Sequence, residues 1–173
     1  RCMVGNTARR GTGRNARLRE TRHRQGRDDE ALDGLSLVLG IYTHLSKAEP
    51  AVEFECAQTL VQMAAVAKHT GNTEHAKSLC SAALRTYRNV LGDSHPMVAH
   101  VLNKIGGLCY EMGSDADIAE AKQHVEDALA ITEDCLAETD LTTAESVLIL
   151  GKINLRQRHL ALAEKYLRLA LHM

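Results

Sequence analysis

The sequence predicts an all-α protein in which antiparallel helix pairs stack into an α-solenoid. Three observations support this prediction. Apolar residues recur at the spacing of helix faces from residue 28 onward, glycines separate the helical segments, and the pattern repeats after steps of 42 and 45 residues. A period of this length is typical of arrays in which each helix pair buries its apolar face against the next pair.

The first helix of each predicted pair has one large and one small apolar position in register. The large position is occupied by Met63, Ile105 and Leu150. The next position along the helix is occupied by Ala64, Gly106 and Gly151. Because the distance between two helix axes depends on the residues at the contact, we expect each first helix to cross its partner at this small position.

The second helices repeat in the same way. Their aligned positions are Ala76, Ala121 and Ala163, then Ala83, Ala128 and Ala170, and then Leu84, Leu129 and Leu171. Gly71 and Gly113 separate the paired helices, where a residue that tolerates positive φ ends a helix. Arg158 takes this place in the third unit, so we expect a different turn there. Three extra residues precede Ala121 in the second unit.

Proline marks the start of two first helices. Pro50 and Pro96 each open a helical stretch, and proline is tolerated in the first turn because its missing N–H is not needed there. In the third unit Thr142 and Glu145 have the spacing of a capping box. We therefore expect the third first helix to begin near Asp140.

Three runs of residues together have the pattern of a known repeat. They are GDSHPMVA at 92–99, LNKIGGLCYEMG at 102–113, and the A-x6-AL spacing of Ala121, Ala128 and Leu129. They resemble the tetratricopeptide repeat, and more closely the long, 42-residue repeats of kinesin light chains, over about residues 50–173. The resemblance implies a right-handed superhelix that acts as a non-enzymatic adaptor or scaffold. Val61 and Leu148 depart from it, because the long repeats usually have there the asparagine seen at Asn103.

The chain divides into three parts of different composition. Residues 1–27 contain nine arginines and Glu20 as the only acid, so we expect a disordered, arginine-rich tail. Residues 28–47 have an apolar helical stripe and are interpreted as a degraded repeat helix or a cap. Residues 48–173 form the predicted array, in units of about 48–94, 95–140 and 141–173.

Both ends of the chain bear on its interactions. Three interpretations of the tail remain open: a linker or an artefact of a truncated gene model, a patch for an anionic partner such as RNA, and a targeting segment. The array stops directly after an apolar position, without the polar terminal helix that repeat arrays need. We therefore expect a fragment of a longer protein, which self-associates through its uncapped C-terminal end.

Composition excludes several classes of protein. No run of 18 apolar residues occurs in the 173-residue chain, so no membrane span is predicted. The five cysteines form no CxxC pair, which favours free thiols in a reducing, cytoplasmic compartment. The nine histidines lack H-x3-H and HExxH spacing, and neither a phosphate-binding loop nor a GxSxG motif is present. We therefore predict no catalytic residue, no metal and no cofactor.

The remaining candidate for function is the surface of the array. In solenoids of this kind the first helices line a concave groove that binds peptides or helices. The residues predicted to line the groove are Gln58, Val61, Ala65, Lys68, His100, Asn103, Gly107, Tyr110, Glu145, Leu148, Lys152 and Leu155. In similar repeats, an asparagine at the position of Asn103 holds the backbone of an extended ligand. The ordinary alternative for each residue is a solvent-facing side chain without a ligand.

The predicted function is to bind a peptide or helical segment of another protein in this groove, as an adaptor or scaffold. Similar long repeats occur in motor adaptors and behind nucleotide-binding signalling domains. The sequence has neither a heptad coil nor a nucleotide-binding motif that would choose between these roles. The alternative function is that of a nucleic-acid-associated protein in which the arginines of residues 1–27 contact phosphates.

Overall fold

The structure, a computed structural model, describes residues 26–41, 50–134 and 141–172. Within these ranges the chain forms seven α-helices and no strand, so the predicted all-α fold is confirmed. The helices are α1 (26–41), α2 (Pro50–His69), α3 (Thr73–Leu91), α4 (Pro96–Met112), α5 (Asp115–Asp134), α6 (Leu141–Arg156) and α7 (Leu160–His172). None of the described helices is both long enough and apolar enough to cross a membrane.

The helices after α1 form three antiparallel pairs. α2 packs on α3, α4 on α5 and α6 on α7, and a turn of two or three residues joins the helices of each pair. The pairs stack in order, because α3 also packs on α4, α5 on α6, and α4 on α6. One cluster of buried side chains runs from Ala57 in α2 to Ile153 in α6. The molecule is therefore the predicted stack of helix pairs.

α2 and α4 begin at the predicted prolines, Pro50 and Pro96. His95 caps α4, because its ring Nδ1 accepts a hydrogen bond of 3.1 Å from the backbone N–H of Met97. This bond satisfies one of the backbone donors that have no partner at the start of a helix. The sequence around Pro96 thus specifies both the start of α4 and its cap.

The turn between α6 and α7 has the same hydrogen bonds as the turn between α2 and α3. In both turns, the residue with positive φ donates its N–H to the carbonyl three residues earlier, and the next residue donates to the carbonyl five residues earlier. The residue with positive φ is Gly71 in the first turn, at 85°, and Arg158 in the last, at 61°. The prediction of a different turn is therefore wrong. Arg158 adopts a left-handed conformation that is uncommon for residues other than glycine.

The three extra residues before Ala121 lengthen α5 at its start. α5 begins six residues before its aligned alanine, whereas α3 begins three residues before its own. Ser114 caps the longer helix: its hydroxyl oxygen lies 3.1 Å from the Asp117 backbone nitrogen, and the Asp117 carboxylate lies 3.1 Å from the Ser114 backbone nitrogen. The insertion is therefore absorbed as almost one extra helical turn at the start of α5.

α1 is less exposed along one of its faces than along the others. Leu32, Leu35 and Leu39 are partly buried on this face. At its start, Asp28 Oδ2 lies 2.9 Å from Nδ1 of His69 at the end of α2. The helix predicted within residues 28–47 is thus present over the described part, and residues 42–47 lie outside the described ranges.

Candidate functional site

The residues predicted to line the groove lie on α2, α4 and α6. The exposed ones are Gln58, Ala65, Lys68, Leu148, Lys152 and Leu155. The partly buried ones are Val61, His100, Gly107, Tyr110 and Glu145. Asn103 alone among these twelve described residues is buried. These helices therefore offer both reachable side chains and one that is enclosed by the protein itself.

Asn103 is 2% exposed and connects α4 to the first turn of α6. Its Nδ2 donates a hydrogen bond of 2.8 Å to the backbone oxygen of Thr142, and its Oδ1 accepts one of 2.9 Å from the Ser146 hydroxyl. α6 begins at Leu141, so Thr142 is already a helical residue and not the N-cap residue, and the capping box predicted for it is wrong. Because the Asn103 side chain is buried, the protein itself shields its amide from a ligand. A ligand contact by Asn103 stays a prediction.

The contact between α4 and α6 is also packed at its other end. The Arg156 guanidinium lies 5.8 Å from the centroid of the Tyr110 ring and donates to the backbone oxygens of Tyr110 and Gly113. Between these points, a β-carbon on Gly107 would lie 4.0 Å from Ile149 Cδ1, in ordinary contact. α4 and α6 are therefore held together along their length.

The space between α2 and α4 is filled less completely than that between α4 and α6, because a cavity of about 100 Å³ lies between α2 and α4. Its lining residues are Val61, Ala64, Ala65, Lys68, Cys80, Lys104 and Leu108. Cys80 belongs to α3 and is 1% exposed, so it closes the inner end of the cavity. Val61, Ala65 and Lys68 are among the predicted groove residues, and the structure brings them together here.

Two lysines give the cavity a positive charge. Lys68 Nζ lies 2.7 Å from Glu111 Oε1, in an ion pair between α2 and α4 whose side chains are each about half exposed. Lys104 is partly buried and has no hydrogen-bond or ion-pair partner within the described ranges. A partly desolvated charge without a partner is unfavourable. Lys104 is therefore available to bind an anion.

The inner end of the cavity is neutral. Burial raises the pKa of the Cys80 thiol to about 11, and the positive charges of Lys104 and Lys68 oppose this rise only in part. The thiol is therefore protonated near neutral pH, and it acts as a small apolar group and not as a nucleophile. In the described part of the chain, no cluster of three or more His, Cys, Asp or Glu side chains is arranged to hold a metal ion.

Sequence reasoning missed Lys104. The signal was present, because Lys104 follows His100 by four residues and so lies on the same face of α4. The repeat alignment favoured its neighbour Asn103, which is buried. Residues 1–25 of the arginine-rich tail lie outside the described ranges, and the nucleic-acid alternative based on them stays a prediction.

Comparison with known proteins identifies the repeats. The sequence model of the tetratricopeptide repeat family matches residues 55–119, a range that contains every residue lining the cavity. No curated protein matches the chain. Among solved structures, BtubC (BKLC) from P. vanneervenii is similar, with a TM-score of 0.72 and 24% sequence identity. That match covers 90% of this chain and 59% of BtubC.

These comparisons confirm the resemblance on which the fold was predicted. The chain spans 59% of the length of BtubC, and at 24% identity the likeness concerns the fold. The family match supports a protein–protein interaction module, built on a scaffold that is typically non-enzymatic.

Proposed function

Because this chain is a tetratricopeptide-repeat protein, we propose that it binds an extended segment of a partner protein across α2, α4 and α6. In this role it is an adaptor or scaffold, of the kind that the resemblance to kinesin light chains implies. The cavity between α2 and α4 is the observation that supports the proposal most directly. A cytoplasmic location is part of the proposal, because free thiols such as Cys56, Cys80 and Cys109 are typical of reducing compartments.

The size and lining of the cavity select an aliphatic side chain of the ligand. An apolar protein cavity of about 150 Å³ is large enough to bind benzene. The cavity of about 100 Å³ is smaller, so it suits the side chain of leucine, isoleucine, valine or methionine. Val61, Leu108 and the neutral thiol of Cys80 provide apolar contacts for it. Burial of one such side chain contributes about 1.5–3 kcal/mol.

The charge at the cavity selects an acidic residue beside the aliphatic one. Lys104 has no partner within the described ranges, whereas Lys68 already pairs with Glu111. A carboxylate of the ligand bonded to Lys104 replaces the water that this lysine loses, and charge-assisted hydrogen bonds are stronger than neutral ones. The proposed ligand motif is therefore an aliphatic residue adjacent to aspartate or glutamate.

The ligand continues from the cavity across α4 towards α6. His100, Tyr110, Glu145, Leu148 and Lys152 are the proposed further contacts, with Gln58 on the opposite side. Asn103 has a positioning role in this proposal, because its bonds to Thr142 and Ser146 set the distance between α4 and α6. Exposed side chains of both charges allow a ligand with acidic and basic residues.

The experiment uses the full chain and fluorescently labelled peptides of one design. Each peptide has a central leucine flanked by glutamates, and the comparison peptides replace the leucine by alanine or the glutamates by lysines. Binding is followed by fluorescence anisotropy at moderate salt. We expect measurable binding of the leucine–glutamate peptides only, with affinity reduced about tenfold or more by either replacement.

Two pairs of variants test whether the peptide binds at the cavity. Lys104→Glu reverses the charge at the cavity, and Lys165→Glu makes the same change at an exposed position on α7. Ala65→Phe obstructs the cavity from an exposed position on α2, and Ala119→Phe adds the same ring at an exposed position on α5. We expect only the first variant of each pair to abolish binding. Equal affinities within both pairs would refute the cavity as the binding site.

A further inference from the structure

The cavity between α2 and α4 changes in character from its inner end to its mouth. Ala64 and Leu108 are each 3% exposed and Cys80 is 1% exposed, so the inner end is enclosed and apolar. Ala65 and Lys68 are exposed and form the mouth. Small-molecule sites typically combine an apolar lining with a few polar groups that orient the ligand. The cavity is therefore complementary to a molecule with an alkyl group at one end and a charged group at the other.

The charge of the cavity selects an anion. Lys104 lines the cavity, is partly buried and lacks a hydrogen-bond or ion-pair partner in the part of the chain that the structure describes. Lys68 is engaged by Glu111, so these three side chains carry one net positive charge. Both lysines also act at the inner end, where their charges oppose the rise that burial causes in the pKa of the Cys80 thiol. A ligand with a single negative charge is thus favoured, and an amine is repelled.

The volume of the cavity limits the alkyl group. Benzene fits an apolar protein cavity of about 150 Å³. The cavity of about 100 Å³ is smaller, so it has room for a branched alkyl group of about four carbons. Because the apolar lining and Lys104 belong to the same small cavity, one small molecule can contact both. A peptide backbone is not required for these contacts.

We propose that the cavity also binds a free aliphatic monocarboxylate and that this small molecule competes with the partner protein. The alkyl group lies at the inner end beside Leu108, and the carboxylate accepts a charge-assisted hydrogen bond from Lys104. Binding of the carboxylate follows from the cavity alone, whereas the competition rests on the proposed function. The partner is then released when such carboxylates accumulate, so the small molecule regulates the adaptor.

The first experiment locates the binding by NMR spectroscopy of the full chain with isotope-labelled methyl groups. The probe is 3-methylbutanoate, which joins a branched four-carbon alkyl group to a carboxylate. We expect saturable shifts of the Val61 and Leu108 methyl signals, with a dissociation constant on the order of 1 mM. Val147 of α6 is 1% exposed and does not line the cavity, so its methyl signals are the reference. Equal shifts at Val147, or none at Val61 and Leu108, would overturn the proposal.

A series of related compounds tests the match in size and charge. From acetate to butanoate, each added methylene should tighten binding about fourfold, and the gain should stop once the cavity is full. The neutral 3-methylbutanamide and the cationic 3-methylbutylamine should bind about tenfold more weakly than 3-methylbutanoate, or worse. Affinity that keeps rising up to octanoate would indicate adsorption to the surface and contradict a cavity of limited volume. Equal affinities for the carboxylate and the amide would contradict recognition by charge.

A pair of variants tests the role of Lys104. Lys104→Met removes the charge and keeps a flexible apolar side chain, and Lys165→Met makes the same change at an exposed position on α7. We expect Lys104→Met to weaken the binding of 3-methylbutanoate about tenfold or more and to leave that of 3-methylbutanamide unchanged. Unchanged binding of the amide shows that the cavity is intact in the variant. Equal affinities of the two variants for 3-methylbutanoate would overturn the proposal.

The last experiment separates this proposal from the proposed function. The labelled leucine–glutamate peptide is bound to the full chain, and 3-methylbutanoate is added, with acetate at the same concentration as the control for salt. Displacement by 3-methylbutanoate alone supports the competition. Shifts of Val61 and Leu108 without displacement would refute the competition and the position of the peptide in the cavity. Peptide binding that is lost in Lys104→Glu, together with no shift caused by any carboxylate, would overturn the carboxylate site and support the proposed function.

Discussion

Val125 of α5 occupies the space that a β-carbon on Gly106 of α4 would need. Such a β-carbon would lie 2.5 Å from Val125 Cγ2 and 3.2 Å from the backbone oxygen of Ala121. Carbon atoms in favourable contact are about 3.5–4.0 Å apart. The neighbouring Gly107 is different, because the nearest atom to its β-carbon would be Ile149 Cδ1 at 4.0 Å. Gly106 therefore has no room for a side chain, whereas the adjacent Gly107 has room for a methyl group.

The first prediction compares these two glycines. Gly106→Ala should lower the free energy of unfolding by about 1–2 kcal/mol, because overpacking costs roughly 1–3 kcal/mol and alanine recovers about 0.5–1 kcal/mol in a helix. Gly107→Ala has space for the methyl group and should raise the free energy of unfolding by about 0.5–1 kcal/mol. Urea denaturation of both variants gives the two values. A higher free energy of unfolding for Gly106→Ala than for the wild type would show that α4 and α5 do not approach at Gly106 as described.

The success of the fold prediction has a physical reason at these positions. Only a residue without a large side chain fits where two helix axes cross closely, so a small residue had to recur at Ala64, Gly106 and Gly151, the same position of each first helix. In the third pair, a β-carbon on Gly151 would lie 2.8 Å from Leu167 Cδ2. Because only small residues fit at these helix crossings, the recurrence of small residues in the sequence predicts where the helices cross.

The site was predicted less well, because it depends on differences between the repeats. The alignment put Asn103 in one column with Val61 and Leu148, and this column does not reveal that Ser146 and Thr142 engage its amide. Val61 occupies in α2 the position that Asn103 occupies in α4, and it lines the cavity between α2 and α4. Such a gap follows from three-dimensional packing and leaves no period in the sequence.

The second prediction concerns Arg158, whose φ of 61° lies in the left-handed region. That conformation costs a residue with a β-carbon roughly 1–2 kcal/mol, whereas glycine adopts it without this cost. Arg158→Gly should therefore raise the free energy of unfolding by about 1 kcal/mol and the melting temperature by about 2–4 °C. Thermal unfolding at low protein concentration measures the change. Arg158→Ala is the control that removes the charge and keeps the strain, and an equal gain in this control would attribute the effect to charge.

The third prediction separates the structural role of Asn103 from a role in binding. Asn103→Ala should lower the free energy of unfolding by about 1–3 kcal/mol, because it removes one buried and one partly buried hydrogen bond between α4 and α6. Ser146→Ala should lower the free energy of unfolding less in the Asn103→Ala background than in the wild-type chain, because the bond between the two side chains is then already absent. Equilibrium unfolding of the two single variants and the double variant gives the coupling energy. Strictly additive losses would contradict the bond between these side chains.

The fourth prediction uses the pH dependence of an ion pair between α3 and α5. Lys77 Nζ lies 2.8 Å from Glu120 Oε2, and His124 Nε2 lies 3.4 Å from Glu120 Oε1. The hydrogen bond from Lys77 lowers the pKa of Glu120 below its ordinary value of 4.5. The carboxylate is then more stable in the folded protein than in the unfolded chain. Its contribution to stability is present above about pH 4.5 and is lost as the pH falls through the lower, folded-state pKa.

Glu120→Gln tests whether the contribution of Glu120 to stability falls as the pH falls. Above pH 5 the variant should be less stable than the wild type by roughly 0.2–1 kcal/mol, the usual range for exposed ion pairs, and the difference should shrink below pH 4.5. Unfolding by urea across this pH range measures it. The same substitution in a Lys77→Met background should lose most of its pH dependence, because the main cause of the lowered pKa is then absent. A difference that grows as the pH falls would mean that the pKa of Glu120 is raised, and that Lys77 does not stabilise its charged form.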